Sequence, residues 1–313
     1  MTLPHKRLLR ALLFVICFAL LAWMVIEAGP RLLWQTLCQL PVAIALCVGV
    51  WGVGYTLNAA SFRQVVWGMA PDGRRALSFF EILRITISGY ALNYITPFGL
   101  LGGEPWRIVA LRPHLGTERA TQSVVLYSMM HIASHFCFWL LSALVVLAGV
   151  TQLTQGVSLP ALVSIVIVAL MLLGLFWRLY RRGIALRFMR RWVDWPLLNP
   201  SLLPSAHFLR ALGLELLSRL VNVIEYWIIM QALGFAEFGY LQALLVVAFS
   251  SLLANLLFFS PLQMGTREGG IFLALQYLLP DGDLLPVALT LSFATRIREF
   301  LWIAIGLLFM HRK

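Results

Sequence analysis

The chain alternates long apolar runs with short polar breaks, and the runs have the length of membrane spans. Continuous apolar stretches cover Ala11 to about Ala28, Pro41 to about Ala60, Ala120 to Val150, Pro160 to Trp177, Phe208 to Leu233 and Leu284 to Met310. Two further runs, Ala76 to Leu111 and Tyr240 to Leu279, are interrupted near their middles. The first carries Ser88, Asn93, Thr96-Pro97, Gly102-Gly103-Glu104-Pro105 and Arg107; the second carries Ser250, Asn255, Ser260-Pro261, Gly265, Arg267, Glu268 and Gly269. The Ser-to-Asn and Pro-to-Glu spacings are the same in both copies. Proline ends a helix because it lacks a backbone donor and clashes with the preceding turn, and glycine lets the chain reverse. Irregular polar backbone inside an apolar run is tolerated only where it is buried in protein or lines a cavity. Matched Gly/Pro interruptions in two halves of a membrane protein point to a transport site.

The charged loops set the orientation. If both interrupted runs are re-entrant and return to the face they left, six helices cross. The N-terminus, Arg63 to Arg75, Arg107 to Arg119, Arg178 to Arg191 and the C-terminal His311-Arg312-Lys313 then share the cytoplasmic side. The neutral loop Thr151 to Leu159, Glu237, Asp281 and Asp283 fall outside; Arg31 is the exception. An odd number of crossings separates the two interruptions, so the hairpins enter from opposite faces. The expectation is one all-α polytopic membrane domain, 1–313, made of six full transmembrane helices and two oppositely oriented re-entrant helical hairpins. Its halves, 1–156 and 157–313, form an inverted repeat whose hairpin tips meet near the midplane.

Composition agrees with that class. Of 313 residues, 61% are hydrophobic and 12% charged, against about 25% charged in a soluble chain. No stretch has soluble composition, so neither a catalytic appendage nor nucleic-acid binding is expected. The net charge is +11, and Lys occurs only at Lys6 and Lys313, so nearly all of the 24 basic residues are Arg. Loop arginines answer to anionic lipid heads; those within spans need another reason. The cysteines Cys17, Cys38, Cys47 and Cys137 show neither metal spacing nor a disulfide framework. The Ala11 to Ala28 run lacks the small-residue cleavage site of a signal peptide and is expected to stay as a helix.

Intramembrane charges face a cavity or a partner. Glu215, Arg219 and Asn222 share one helical face, with Glu225 nearby, and the last span holds Arg296, Arg298 and Glu299. Glu215 with Arg219, or Arg298 with Glu299, can pair internally; Arg296 has no unshared partner at helical spacing and is the better ligand candidate. His131 and His135 have the spacing of metal ligands, but their own span supplies no carboxylate, so packed polar histidines are expected and no metal or cofactor is assigned. In the hairpins Glu104 stands near Arg107 and Arg267 beside Glu268. New helices starting at Pro105 and Thr266 would aim unpaired amides into a shared cavity, an anion site. The candidate substrate-binding set is therefore Asn93, Thr96, Pro97, Gly102, Gly103, Glu104 and Arg107 from the first break, Asn255, Pro261, Gly265, Arg267 and Glu268 from the second, and Arg219 and Arg296 from the spans. No Walker A lysine, Gly-x-Ser-x-Gly or His-Glu-x-x-His occurs, which argues against an ATPase, serine hydrolase or zinc protease.

Thr96-Pro97 through Gly102-Gly103-Glu104-Pro105-Trp106-Arg107, followed by Ser260-Pro261, Gly265, Arg267, Glu268 and Gly269, resembles the lysylphosphatidylglycerol synthase transmembrane-region family, over nearly the whole chain in element order. These are flippase-like proteins related to the N-terminal membrane part of the bacterial multiple peptide resistance factor. The resemblance implies a protein of the bacterial inner membrane that moves a lipid between leaflets. Two-part relatives carry a soluble aminoacyl-transferase domain; none is expected from the residues up to Lys313, so lipid aminoacylation is not implied. The expected partners are a membrane phospholipid or lipid-linked substrate, with a second copy of the chain or a separate lipid-synthesis enzyme as protein candidates. Rival readings are an intramembrane lipid-modifying transferase using Glu104 or Glu268 as base, and a scaffold for a cell-envelope enzyme.

Overall fold

The computed structural model describes residues 30–69, 77–96, 102–147, 205–256, 266–279 and 284–311, together with Ile26. The expected first span, the 160–177 span, the 151–159 loop, the Arg178 to Arg191 cluster, Asp281 and Asp283 lie outside these residues, as do Pro97, Pro261 and Gly265. Of the described residues 93% are helical and none is in a strand, so the fold is all-α. The helices are α1 (Pro30–Gln39), α2 (Pro41–Met69), α3 (Phe79–Ile95), α4 (Gly103–Leu147), α5 (Ser205–Ala232), α6 (Tyr240–Leu256), α7 (Thr266–Leu278) and α8 (Leu285–His311).

Local chemistry sets the ends. Ser78 caps α3 and Glu81 returns the bond to the Ser78 amide, a reciprocal capping box. Helix α3 stops at Thr96, which is extended (φ −77, ψ 132) because Pro97 follows it. Helix α4 is really two pieces. Pro113 removes a backbone donor and Gly116 takes a left-handed conformation (φ 76), so a short arm from Gly103 is separated from a long span beginning near Thr117.

Helices α2 and α5 pack against each other, joined by three hydrogen bonds in one register. The Ser218 hydroxyl donates to the Gly54 carbonyl at 3.1 Å, across a separation of 164 positions. At that same shift Ser61 corresponds to Glu225 and Cys47 to Ala211. The Ser61 hydroxyl donates to the Ala211 carbonyl and the Cys47 thiol to the Glu225 carbonyl. As α2 advances through Cys47, Gly54 and Ser61, its partners retreat through Glu225, Ser218 and Ala211, so the two equivalent helices are antiparallel.

The elements around them repeat. Helices α3 and α6 both have 17 residues, and the 13-residue α7 stands where the opening arm of α4 stands in the first half. Each first arm packs on the last helix of the other half. Ser88 donates to the Gly306 carbonyl on α8, and Trp139 on α4 donates to the Ser251 hydroxyl on α6. Gly306 is needed for this approach, since a Cβ there would sit 2.6 Å from that of Ala91.

The partition of residues is inside-out for a water-soluble protein. Val42, Leu46 and Val53 on α2, Leu209 on α5 and Leu308 on α8 are exposed, while Arg107, Arg298, Glu215 and Glu225 are buried. Such a surface fits an apolar solvent, and interior charges must then find partners or a cavity. Helices α2 and α4 are long and apolar enough to cross a membrane by length and composition. Helices α5 and α8 have 28 and 27 residues, also sufficient in length, but their buried charged faces lower their apolarity.

Candidate functional site

Between α2, α3, α4, α5, α6 and the α7–α8 pair lies a cavity of about 280 Å³. Its wall is polar and aromatic: Trp51 and Asn58 on α2, Tyr90 and Tyr94 on α3, His131 and His135 on α4, Glu215, Arg219, Asn222 and Glu225 on α5, Asn255 on α6, Arg267 on α7, and Arg298 and Glu299 on α8. Asn58 and Asn222 lie 164 positions apart, the spacing that also separates Glu104 from Glu268, and both line the cavity.

Three clusters of charge organise this wall. On one side Arg298 grips Glu225 through two bonds, Nε to Oε1 at 2.8 Å and a terminal nitrogen to Oε2 at 2.9 Å. Trp51 donates its indole N–H to Glu225 at 2.7 Å and offers its ring face to Arg298, whose guanidinium carbon sits 3.7 Å from the ring centroid. This bidentate, stacked geometry needs an arginine. Next to it, Arg267 pairs with Glu299 at 2.7 Å.

On the opposite side Glu215 meets His131 Nδ1 at 2.9 Å. Arg219, one turn on, has no carboxylate within salt-bridge range among the described residues. It donates from Nε to the Ser134 hydroxyl at 2.7 Å, from one terminal nitrogen to His135 Nδ1 at 3.1 Å, and from the other to the His131 carbonyl at 2.9 Å and His131 Nε2 at 3.4 Å. A guanidinium only donates, so both ring nitrogens that face it are acceptors and both imidazoles are neutral. His131 therefore carries its proton on Nδ1, aimed at Glu215.

The break residues do different work. Asn93 accepts the Gly103 N–H at 2.6 Å, satisfying one of the free amides at the start of α4. Gly103 is dictated by packing, because a Cβ there would collide with the Gly89 carbonyl; at Gly102 one would sit 2.6 Å from the Thr96 side chain. Arg107 binds Glu104 at 2.8 Å and lies against the rings of Tyr90 and Tyr127, in space left by Gly89. Glu104 also accepts from Ser128 at 3.2 Å, and Glu268 accepts from Ser292 at 2.7 Å; in each case the serine lies 24 positions after the glutamate.

Of the candidate residues, Arg219, Asn255 and Arg267 line the cavity. Asn93, Thr96, Gly102 and Gly103 build the first break, and Glu104, Arg107, Glu268 and Arg296 stand behind the wall. Two expected pairings change. Arg267 binds Glu299, and Glu268 binds Arg296 at 2.7 Å. Arg296 thus has its carboxylate on a neighbouring helix, where spacing along α8 gives no sign of it. Likewise the carboxylate absent from the span of His131 arrives from α5 as Glu215. Trp51, Asn58, Tyr90 and Tyr94 were missed by the sequence reading. The signal available was a lone Asn and Trp within an apolar run. Among the described residues no group of His, Cys, Asp or Glu could hold a metal ion.

Residues 8–302 match the family described as Lysylphosphatidylglycerol synthase TM region. The chain belongs to this family. It is a membrane protein of a lipid-related family, and the match spans both halves and every cavity-lining helix. No curated protein and no solved structure matches the chain.

Proposed function

We propose that this family member moves a lipid head group between the leaflets of the bacterial inner membrane, with both termini cytoplasmic. The observation that carries this reading is the polar cavity within an apolar-surfaced bundle. Because the equivalent helices α2 and α5 are antiparallel, an axis relating them lies perpendicular to both, hence in the membrane plane if they cross it. That is an inverted repeat, and each half would supply one re-entrant hairpin. A head group in the cavity would exchange its water shell for Arg267, Arg219 and the two asparagines while its tails stay in lipid. Rocking one half against the other would open the cavity to each face in turn.

The transferase reading loses ground on one point. Glu104 and Glu268 are each held by an arginine and a serine and do not line the cavity, which makes them poor general bases for a bound lipid.

Reconstitution into vesicles that carry a fluorescent phospholipid tests the proposal. Parent protein should expose inner-leaflet label to an external quencher, and Arg267→Ala should lose that activity while remaining folded. Vesicles with parent protein that quench no further than empty ones would refute translocation of that lipid. A new lipid product on chromatography would instead favour a transferase.

A further inference from the structure

Of the five described arginines that line the cavity or stand behind its wall, one differs. Arg107, Arg267, Arg296 and Arg298 each sit on a carboxylate; Arg219 is held by neutral acceptors. The carboxylate closest along its own helix, Glu215, is turned to His131, and its Oε1 is buried with no hydrogen-bond partner among the described residues. An arginine on a cavity wall, bonded only to neutral acceptors and with no carboxylate in salt-bridge range among the described residues, can take an anion.

The same contacts make the site sensitive to protons. The lone pair of His131 Nε2 faces the Arg219 guanidinium, while its Nδ1–H faces Glu215. A proton taken from water onto Nε2 would give an imidazolium that keeps its bond to Glu215 but repels Arg219. Only an N–H bond forms, and Arg219 is freed toward the cavity. The other groups facing His131 do not replace this exchange. Tyr90 on α3 reaches Nδ1 at 3.2 Å and bonds Tyr127, and behind both rings stands Arg107, already paired with Glu104. His135, with its ring at 5.4 Å, shares the same arginine. Across the cavity Arg267 and Glu299 form an ion pair at 2.7 Å.

Resting on the translocation reading, we propose that Arg219 is the site for a phosphodiester anion and that the His131–Glu215 pair takes up one proton when the anion binds. An anion on Arg219 withdraws the guanidinium from Nε2 and neutralises it, so the Nε2 lone pair is open to a proton. By linkage the anion binds more tightly as the pH falls.

The test is calorimetry on the full chain in lipid nanodiscs, in buffers of differing protonation enthalpy. The probes are dimethyl phosphate and dihexanoyl phosphatidylmethanol, both singly charged throughout the range, so any slope belongs to the protein. Parent affinity should rise by about tenfold per unit of pH lost between about pH 8 and about pH 6, with on the order of one proton absorbed. His131→Gln should bind with no slope, and Arg219→Gln should not bind. Binding by the parent without proton uptake, or an unchanged slope in His131→Gln, would overturn the coupling. Full affinity in a folded Arg219→Gln would overturn the site. If His131→Gln does not fold, the parent's proton count decides alone. Lipid probe bound and translocated without proton uptake leaves the translocation reading standing and removes this one. Dimethyl phosphate bound with a proton while the lipid probe is refused does the reverse.

Discussion

Glu104 and Glu268 occupy equivalent places, each followed 24 positions later by the serine that binds it, yet they meet their arginines differently. Glu104 is paired by Arg107 within its own helix, and Glu268 by Arg296 from a neighbouring one. Arg267, beside Glu268, also reaches α8 through Glu299. Helix α7 is thus tied to α8 by two half-buried ion pairs. The opening arm of α4 has no ion pair to another helix among the described residues; it is held by Ser128, by Asn93 and by the aromatic faces around Arg107. The glutamate–serine frame is shared, and the arginines laid over it differ: they tie α7 to α8 and leave the opening arm of α4 paired only within itself.

The strongest way to break this asymmetry is at Arg298, whose counterpart at the 164-position shift is Ser134. Arg298→Ala leaves Glu225 buried without its bidentate partner and should cost about 3–5 kcal/mol, seen as a large fall in the thermal midpoint in mild detergent. A melt within error of the parent would mean that the pair is solvated and the centre of the second half loose.

Next in size are the glycines between the arms. Gly103→Ala drives a methyl into the Gly89 carbonyl, which cannot yield without parting α3 from α4; overpacking of this kind costs about 1–3 kcal/mol. Gly270→Ala meets Ser250 Cα at 2.9 Å, a milder collision, and should cost less. The reverse order in paired melts would contradict the closer approach of α3 and α4 at Gly103.

The smallest effect sharpens the comparison most finely. Ser292→Ala removes a 2.7 Å bond and Ser128→Ala a 3.2 Å bond to equivalent carboxylates. Each should cost on the order of 1 kcal/mol, Ser292 more than Ser128. Equal losses would say that the two frames are held alike.

Much of this frame is written in local patterns. Proline and glycine spacing marks both breaks, and the paired Gly102-Gly103 before Glu104 coincides with the place where two backbones touch. Pro113 and Gly116 end the returning arm where the sequence closes it. The ion-pair map is not legible in the same way. Helical spacing reports neighbours on one helix, so it finds Glu104 with Arg107 but assigns Arg267 to Glu268 and leaves Arg296 alone, because their partners come from other helices. Trp51, Asn58 and Tyr90 look like ordinary members of apolar runs, and only the crossing of α2 with α5 and α3 brings them to one cavity. Antiparallel equivalence of α2 and α5 is likewise a property of contacts such as Ser61 with Ala211.

The central claim is that one cavity serves both faces of the membrane, and accessibility at its middle tests it most directly. Asn222 lines the cavity, as does Asn58. In a background with the native cysteines replaced, Asn222→Cys should react with a membrane-impermeant maleimide in right-side-out vesicles and also in inside-out vesicles. Reaction from one face only, with the protein folded and lipid supplied, would contradict alternating access.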